Sequence, residues 1–511
     1  MRRRLTLLGF SSLLAAACAV GPDYKRPPIV TAEEWRDAAV EATTIANIPW
    51  WELFQDEQLR DLIRTALAEN KDLKIAVERI AERRALYGFT KADLFPKVGL
   101  SGDAGHIRFG AGSLVHTPEG DVSTGGPIET DIYALTADLS WEIDFFGRIR
   151  RATEAQFALL LGSEEARRSV VITLVADVAR AYVELRDLDR RVEIGRRTLE
   201  SRREYVELAR LRFEGGVTSE LDWRQAEAEF YRVQVQVYEF ERLVVQKENE
   251  LSVLLGRNPT AIPRGRPVDA QPVPPEIPAG LPSELLERRP DIREAEQRLV
   301  ANTARIGEAK AQLFPKISLT AAFGYASTAV EDWFVPNGRV WGVIGSLMQP
   351  VFEAGKNLRR VDAAEALERQ ALYEYERTIL QALRDVNDSL IAYRKAGEQL
   401  VSQRARIQAE RKALEISDLR YRGGVAAYLE VLDAQRSLFG AELDEVQAIS
   451  SELTAVIRLY KALGGGWQSE PPPAAPPTPG TEPPTGPTAQ TGTTLAVTPA
   501  ASGAAGALEP R

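Results

Sequence analysis

The sequence predicts a mixed α/β membrane protein with long coiled-coil helices, short amphipathic strand pairs and two internal repeats. Three observations predict it. Val171, Val178, Leu185, Val192, Leu199, Val206 and Phe213 set an apolar residue at every seventh position. A strict seven-residue period keeps one seam facing a neighbouring helix and imposes left-handed supercoiling. Ile379, Val386, Tyr393, Leu400, Ile407, Leu414 and Tyr421 repeat the ladder 208 positions on (379 − 171). Before each ladder the pattern changes to an alternation of period two, which belongs to strands.

Composition narrows the function. Charged residues make up 27% of the 511 and aromatics 7%, which suits long solvated helices. A net charge of −9 with both signs interspersed argues against a nucleic-acid surface. No phosphate-binding glycine loop, HExxH pair or Cys/His pair occurs, so neither an enzyme nor a cofactor or metal site is expected. The one cysteine, Cys18, lies in the leader, which leaves no disulfide framework. After residue 20 no apolar run approaches the ~18–20 residues of a spanning helix. Any membrane crossing must then be made of strands.

In chain order, Arg2-Arg3-Arg4, an apolar stretch Leu5–Ala17 and Cys18 read as an export signal (1–17), too short for a membrane anchor. Ala15-Ala16-Ala17-Cys18 resembles a lipobox. Cys18 would then be the acylated first residue, and Ala19 rather than Asp would imply sorting to the outer membrane. Ordinary cleavage with an incidental cysteine is the plainer alternative. Residues 18–56 form an N-terminal segment.

The first repeat, 57–256, begins with a helix-compatible stretch at 57–92, carrying Leu59, Leu62, Ile63, Leu67, Leu73, Val77 and Ile80. It stops at Leu94-Phe95-Pro96-Lys97 because the residue before proline is driven out of helical geometry. The second repeat, 284–465, begins with a helix at about 284–311 and stops at Leu313-Phe314-Pro315-Lys316. Hairpins are expected at 97–146 and 316–354. In the second, Ile317, Leu319, Ala321, Phe323 and Tyr325 alternate with small or polar residues, and Trp341, Val343 and Leu347 oppose Gly342 and Ser346. In the first, Tyr133, Leu135, Leu139, Trp141 and Ile143 alternate with Thr136, Asp138, Ser140 and Glu142. One apolar and one small or polar face is the membrane-barrel pattern. The first hairpin's surplus, Gly105–Glu129, is Gly-rich and polar and reads as an exposed loop, with His106 and His116 as solvated residues rather than metal ligands.

Long helices follow at 148–213 and 356–421, each roughly 100 Å at ~1.5 Å per residue. They end at Gly215-Gly216-Val217 and Gly423-Gly424-Val425, where shorter helices (219–256 and 427–463) turn back antiparallel. The Pro-rich 257–283 is a linker, and the Pro-, Thr-, Ala- and Gly-rich 467–511 a disordered tail. Four strands cannot close a barrel, and an open edge in lipid costs several kcal/mol per unpaired backbone group. Subunits must therefore share one barrel, of eight strands for two copies or twelve for three.

Several stretches also resemble the outer-membrane factors of bacterial tripartite efflux pumps, the TolC/OprM-like lipoproteins of the NodT type. They are Cys18-Ala19-Val20-Gly21-Pro22-Asp23-Tyr24-Lys25-Arg26-Pro27, the two Leu-Phe-Pro-Lys junctions, Trp141-Glu142-Ile143-Asp144-Phe145-Phe146-Gly147-Arg148 and Tyr428-Leu429-Glu430-Val431-Leu432-Asp433-Ala434-Gln435-Arg436. The resemblance covers about 18–465. It implies a homotrimer with a twelve-strand outer-membrane barrel, four strands per chain, continued by a coiled-coil helical barrel in the periplasm. A belt would form from 18–56, the linker and the residues near Gly464. Leu429 and Asp433 would form constricting rings, and Arg420 would tie neighbouring helices. Gly215, Gly216, Val217, Gly423, Gly424 and Val425 would meet a periplasmic adaptor linked to an inner-membrane RND-type pump. The function implied is an exit duct for small molecules in the bacterial outer membrane, lipid-anchored through Cys18. A protein-secretion conduit would share this fold, and a non-conducting envelope-spanning lipoprotein would explain the heptads but not the hairpins.

Overall fold

A computed structural model describes residues 19–29, 35, 45–110, 114–117, 120–123, 127–271 and 282–465. The expected signal peptide, Cys18, the tail 467–511 and residues 272–281 of the Pro-rich linker lie outside the described residues. Helices dominate: α1 (Trp50–Leu53), α2 (Glu57–Glu69), α3 (Lys71–Ala92), α4 (Arg148–Glu214), α5 (Glu220–Leu254), α6 (Leu285–Arg288), α7 (Pro290–Ala311), α8 (Lys356–Arg422) and α9 (Tyr428–Ala462). Strands are β1 (Lys97–Phe109), β2 (Leu114–Thr117), β3 (Gly120–Ser123), β4 (Ile128–Ile143), β5 (Lys316–Ser327) and β6 (Arg339–Met348). No described helix is long and apolar enough to cross a membrane.

The two longest helices, α4 and α8, each hold 67 residues, about 100 Å of rod. Their heptad seams supply the core: Val171, Val178, Leu185, Ile379 and Val386 are buried, together with Val233, Val237 and Leu453 of the shorter partner helices. Each long helix begins where a strand ends. At the first junction the Asp144 carboxylate accepts from the N–H groups of Ile149 (3.1 Å) and Arg150 (2.8 Å). It thereby satisfies two donors that the first turn of α4 leaves open. Phe146 stacks on Phe314 at 4.7 Å, which ties this junction to the one between α7 and β5.

Two stretches are more broken than their hydrophobic spacing suggests. The stretch 57–92 divides at Asn70, whose ψ is 135°. Its side chain accepts from Leu73 N (3.0 Å), capping α3, and donates to Leu254 O (2.9 Å). The stretch 284–311 divides before Pro290, where Arg289 Nη1 donates to Ala462 O (3.0 Å). Both breaks are fixed by partners distant in sequence. Gly105–Glu129 is not wholly loop either. The long strands extend through Phe109 and from Ile128, and β2 and β3 pair as a second small hairpin between them. His106 therefore lies on β1, with Nδ1 2.8 Å from Asp131 Oδ1; the His116 side chain lies outside the described ones.

The main sheet runs β1-β4-β5-β6, antiparallel throughout. Its register sets Ile143 against Ile317, which opposes Leu347, and sets Leu139 against Ala321, which opposes Val343. The apolar side chains thus share one face. On the other, Ser101 Oγ lies 2.9 Å from Thr136 Oγ1 and also bonds Asp138. Helices α3, α4, α7 and α8 pack as successive neighbours, in the same order as the strands they continue.

The middle of the long helices is strapped by the flanking segments. Asp56, 2% exposed, accepts from Gln58 N (3.0 Å), Tyr182 Oη (3.1 Å), Arg266 N (2.9 Å) and Gln271 Nε2 (2.8 Å). Near the strands, Val20 N donates to Phe146 O (3.1 Å), and Arg151 Nη2 pairs with Asp23 Oδ1 at 2.7 Å. Gly21 lies so close to Gly307 that a Cβ on it would meet the Gly307 Cα at 2.3 Å.

Candidate channel gate

The two helical hairpins, α4/α5 and α8/α9, meet at their turns. Each turn is closed by the same bonds. Gly215 N donates to Leu211 O and Val217 N to Arg212 O; Gly423 N donates to Leu419 O and Val425 N to Arg420 O. Gly216 (φ +69°) and Gly424 (φ +75°) occupy the left-handed region, where a side chain costs roughly 1–2 kcal/mol. Val217 and Val425 are 66% and 71% exposed. An apolar side chain held out at a rigid turn is suited to a partner surface.

Just behind the turns, Ala209, Ala226, Tyr421, Tyr428, Val431 and Leu432 form a small buried cluster. Arg212 Nη1 donates to Tyr421 O (3.2 Å), and its guanidinium lies 4.6 Å from the Tyr421 ring centre. Tyr205 Oη donates to Asp418 Oδ1 (2.7 Å). These contacts hold α4 to α8.

The remaining expected gate residues face away from this cluster. Tyr428, Val431, Leu432 and Gln435 turn inward on α9, which leaves Leu429 and Asp433, one turn apart, on the outer face. Leu429 is 59% exposed. Arg420 Nε lies 3.4 Å from Glu430 Oε2, so within one chain it bridges α8 to α9 across the turn. Cys18 lies outside the described residues, but Ala19 abuts Gly147 at the strand–helix junction.

A group absent from the sequence reading sits about two and a half helical turns into α5. Glu229, on α5, is fully buried. It accepts from Arg232 Nε and from Arg436 Nε of α9, both at 2.9 Å. Arg202 of α4, its side chain 4% exposed, lies 3.9 Å from Glu229 and donates to Gln435 O (3.1 Å). Burial pushes the Glu229 carboxyl up, but hydrogen bonds from Arg232 and Arg436 outweigh it and hold it below the usual range. Burial likewise lowers the Arg202 guanidinium. The signal available was spacing: Ala226, Glu229, Val233 and Val237 follow a helical stripe, in which a carboxylate takes an apolar position.

The model of the family described as outer membrane efflux protein matches residues 62–257 and 281–465. The chain belongs to that family. Among curated relatives of this outer membrane efflux protein is the toluene efflux pump outer membrane protein TtgC of Pseudomonas putida. It is 36% identical over 478 residues, 92% of this chain and 97% of that one. Outer membrane protein OprJ of Pseudomonas aeruginosa is 36% identical over 480 residues, 91% and 97% of the two chains. Of solved structures, the open state of the Neisseria gonorrhoeae MtrE outer membrane channel is similar at a TM-score of 0.78 and 31% identity. That likeness covers 88% of this chain and 99% of that one. The protein is accordingly an outer-membrane efflux component.

Proposed function

We propose that this protein is the exit duct of a tripartite efflux pump, in which three copies share one twelve-strand barrel. The observation that carries the proposal is the pair of open edges in each layer. Strands β1 and β6 end the sheet with no outer partner among the described residues. The sheet's exposed apolar residues include Leu100 at 75% and Trp341 at 74%. In lipid every unpaired backbone group costs several kcal/mol, so β1 of one copy has to meet β6 of the next. The helical layer ends in the same way: α3 exposes Ile75, Val77 and Phe89, and α8 exposes Leu367, Tyr373 and Leu380.

From Ile143 to Tyr133 the outward residues of β4 span ten positions, roughly 34 Å along a strand at ~3.4 Å each. Tilted by ~40°, that covers about the ~25 Å apolar band of an outer-membrane barrel. The two halves, 57–256 and 284–465, are structural repeats, and the belt around 18–56, the linker and Gly464 braces the helical tube.

Leu429 and Asp433 ring the periplasmic mouth, with Arg420 beside them, and three like charges at one level repel one another. The exposed turns Gly215-Gly216-Val217 and Gly423-Gly424-Val425 dock the periplasmic adaptor, which joins the duct to an RND-type inner-membrane pump. Cys18 carries acyl chains at the membrane surface, in keeping with Ala19 docking at the strand–helix junction. The cargo is small organic molecules, as the names of the relatives describe for theirs. Sedimentation of the full chain in detergent is expected to give a trimer. A stable monomer or dimer would overturn the shared barrel. A deletion strain is expected to become drug-sensitive and to recover when the gene is restored.

A further inference from the structure

Between α3, α4 and α7 lies a groove of about 370 Å³, lined by Arg79, Arg83, Arg167 and Arg298 with Glu82 and Glu294. Arg298 is paired with Glu294 at 2.9 Å. Arg79, Arg83 and Arg167 have no ion pair among the described residues. This is uncommon here, since most arginines of the long helices are ion-paired, as Arg168 with Glu165, Arg180 with Glu184 and Arg197 with Glu442. Three unpaired guanidiniums from two helices, converging on one recess, form a positive site in a chain whose net charge is −9. Leu159 and Val170 give the recess an apolar floor.

The groove also has a defined side. Tyr24 Oη and Arg26 Nη2 of the N-terminal segment bond Glu296 of α7, at 2.9 and 2.8 Å. Residues two apart on a helix point about 200° apart, so Glu294 and Arg298 face away from that segment. A segment that begins beside a lipidated Cys18 has to run outside the barrel. The groove on the opposite face therefore opens on the passage.

We propose that this groove is a binding site for small organic anions, in which Arg79, Arg83 and Arg167 hold a carboxylate, sulfonate or phosphate over the apolar floor formed by Leu159 and Val170. The position of the site in the passage rests on the duct reading; the binding itself does not. Guanidinium suits the role because its planar fork offers paired donors to such groups and is weakly hydrated. Three copies repeat the site at one level of the tube, where it gives anionic cargo a stopping point in an otherwise acidic protein.

The test uses the full chain in detergent at pH 7.5 and the fluorescence anisotropy of two probes, anionic fluorescein and cationic rhodamine 6G. The wild type is expected to bind fluorescein saturably, and more weakly as salt rises. Arg79→Gln/Arg83→Gln/Arg167→Gln is expected to weaken fluorescein binding about tenfold or more with rhodamine 6G unchanged. The matching triple Lys variant keeps the charge and is expected to retain binding within about threefold. If the Gln triple variant fails to form the native oligomer, Arg167→Gln alone is read, with a loss of about threefold expected. No saturable fluorescein binding by the wild type, or equal binding by the wild type and the Gln variants, would overturn the proposal. Failure of the wild-type gene to restore drug resistance to a deletion strain would instead sink the duct reading and leave the binding result standing.

Discussion

Glu229→Gln is the sharpest perturbation of the tip. The substitution keeps shape and volume but removes the one carboxylate that Arg202, Arg232 and Arg436 converge on. Arg436 is 49% exposed and Arg232 43%, so water takes over much of their loss, at about 1 kcal/mol or less each. Arg202 has no such relief, with its side chain 4% exposed. Stranding a buried charge costs ~3–5 kcal/mol, and the retained bond to Gln435 O offsets some of it. A net weakening of about 3 kcal/mol corresponds to roughly a hundredfold rise in local opening. Hydrogen–deuterium exchange on the intact oligomer reads this directly. Peptides within 198–236 and 428–442 are expected to exchange about a hundredfold faster, and those within 171–186, in the packed middle, unchanged. Tip exchange within about threefold of wild type would refute the claim that this carboxylate binds α5 to α4 and α9.

The same carboxylate gives a pH dependence with a definite sign. Its folded pKa is lowered, so its stabilisation is complete above the unfolded value of about 4.3 and fades as pH falls through the lower folded one. Tip exchange is expected to accelerate only below about pH 4, and the Glu229→Gln variant is expected to show no such step. Asp433→Ala is expected to raise single-channel conductance in planar bilayers by relieving a ring of like charges; unaltered conductance would remove Asp433 from the gate. Gly424→Val meets no atom within 4 Å, so only the left-handed backbone resists it, at roughly 1–2 kcal/mol. Faster proteolysis at the turn is the expected readout. Cys18→Ser is expected to abolish metabolic labelling with a radioactive fatty acid, and persistent labelling would disprove acylation there.

The sequence by itself determined that the chain is mostly helical with a small sheet, and that it belongs among outer-membrane efflux proteins. The first follows from local periodicity, since a period of seven or of two shows in any window of one chain; the second follows from the resemblance of short stretches such as Cys18–Pro27 and the two Leu-Phe-Pro-Lys junctions. It also marked the turns, because Gly216 and Gly424 adopt a backbone conformation that few other residues tolerate. Only the tertiary structure decided what depends on partners far along the chain. Asn70 breaks a stretch whose apolar spacing continues, because it bonds Leu254. His106 is a strand residue because Asp131 lies across from it. Glu229 is a buried junction because Arg202 and Arg436, on two other helices, converge on it. Arg79, Arg83 and Arg167 share one groove only because α3 and α4 pack side by side. Periodicity is a property of neighbours in sequence. The solvation of a charge depends on neighbours in space, and only folding supplies those.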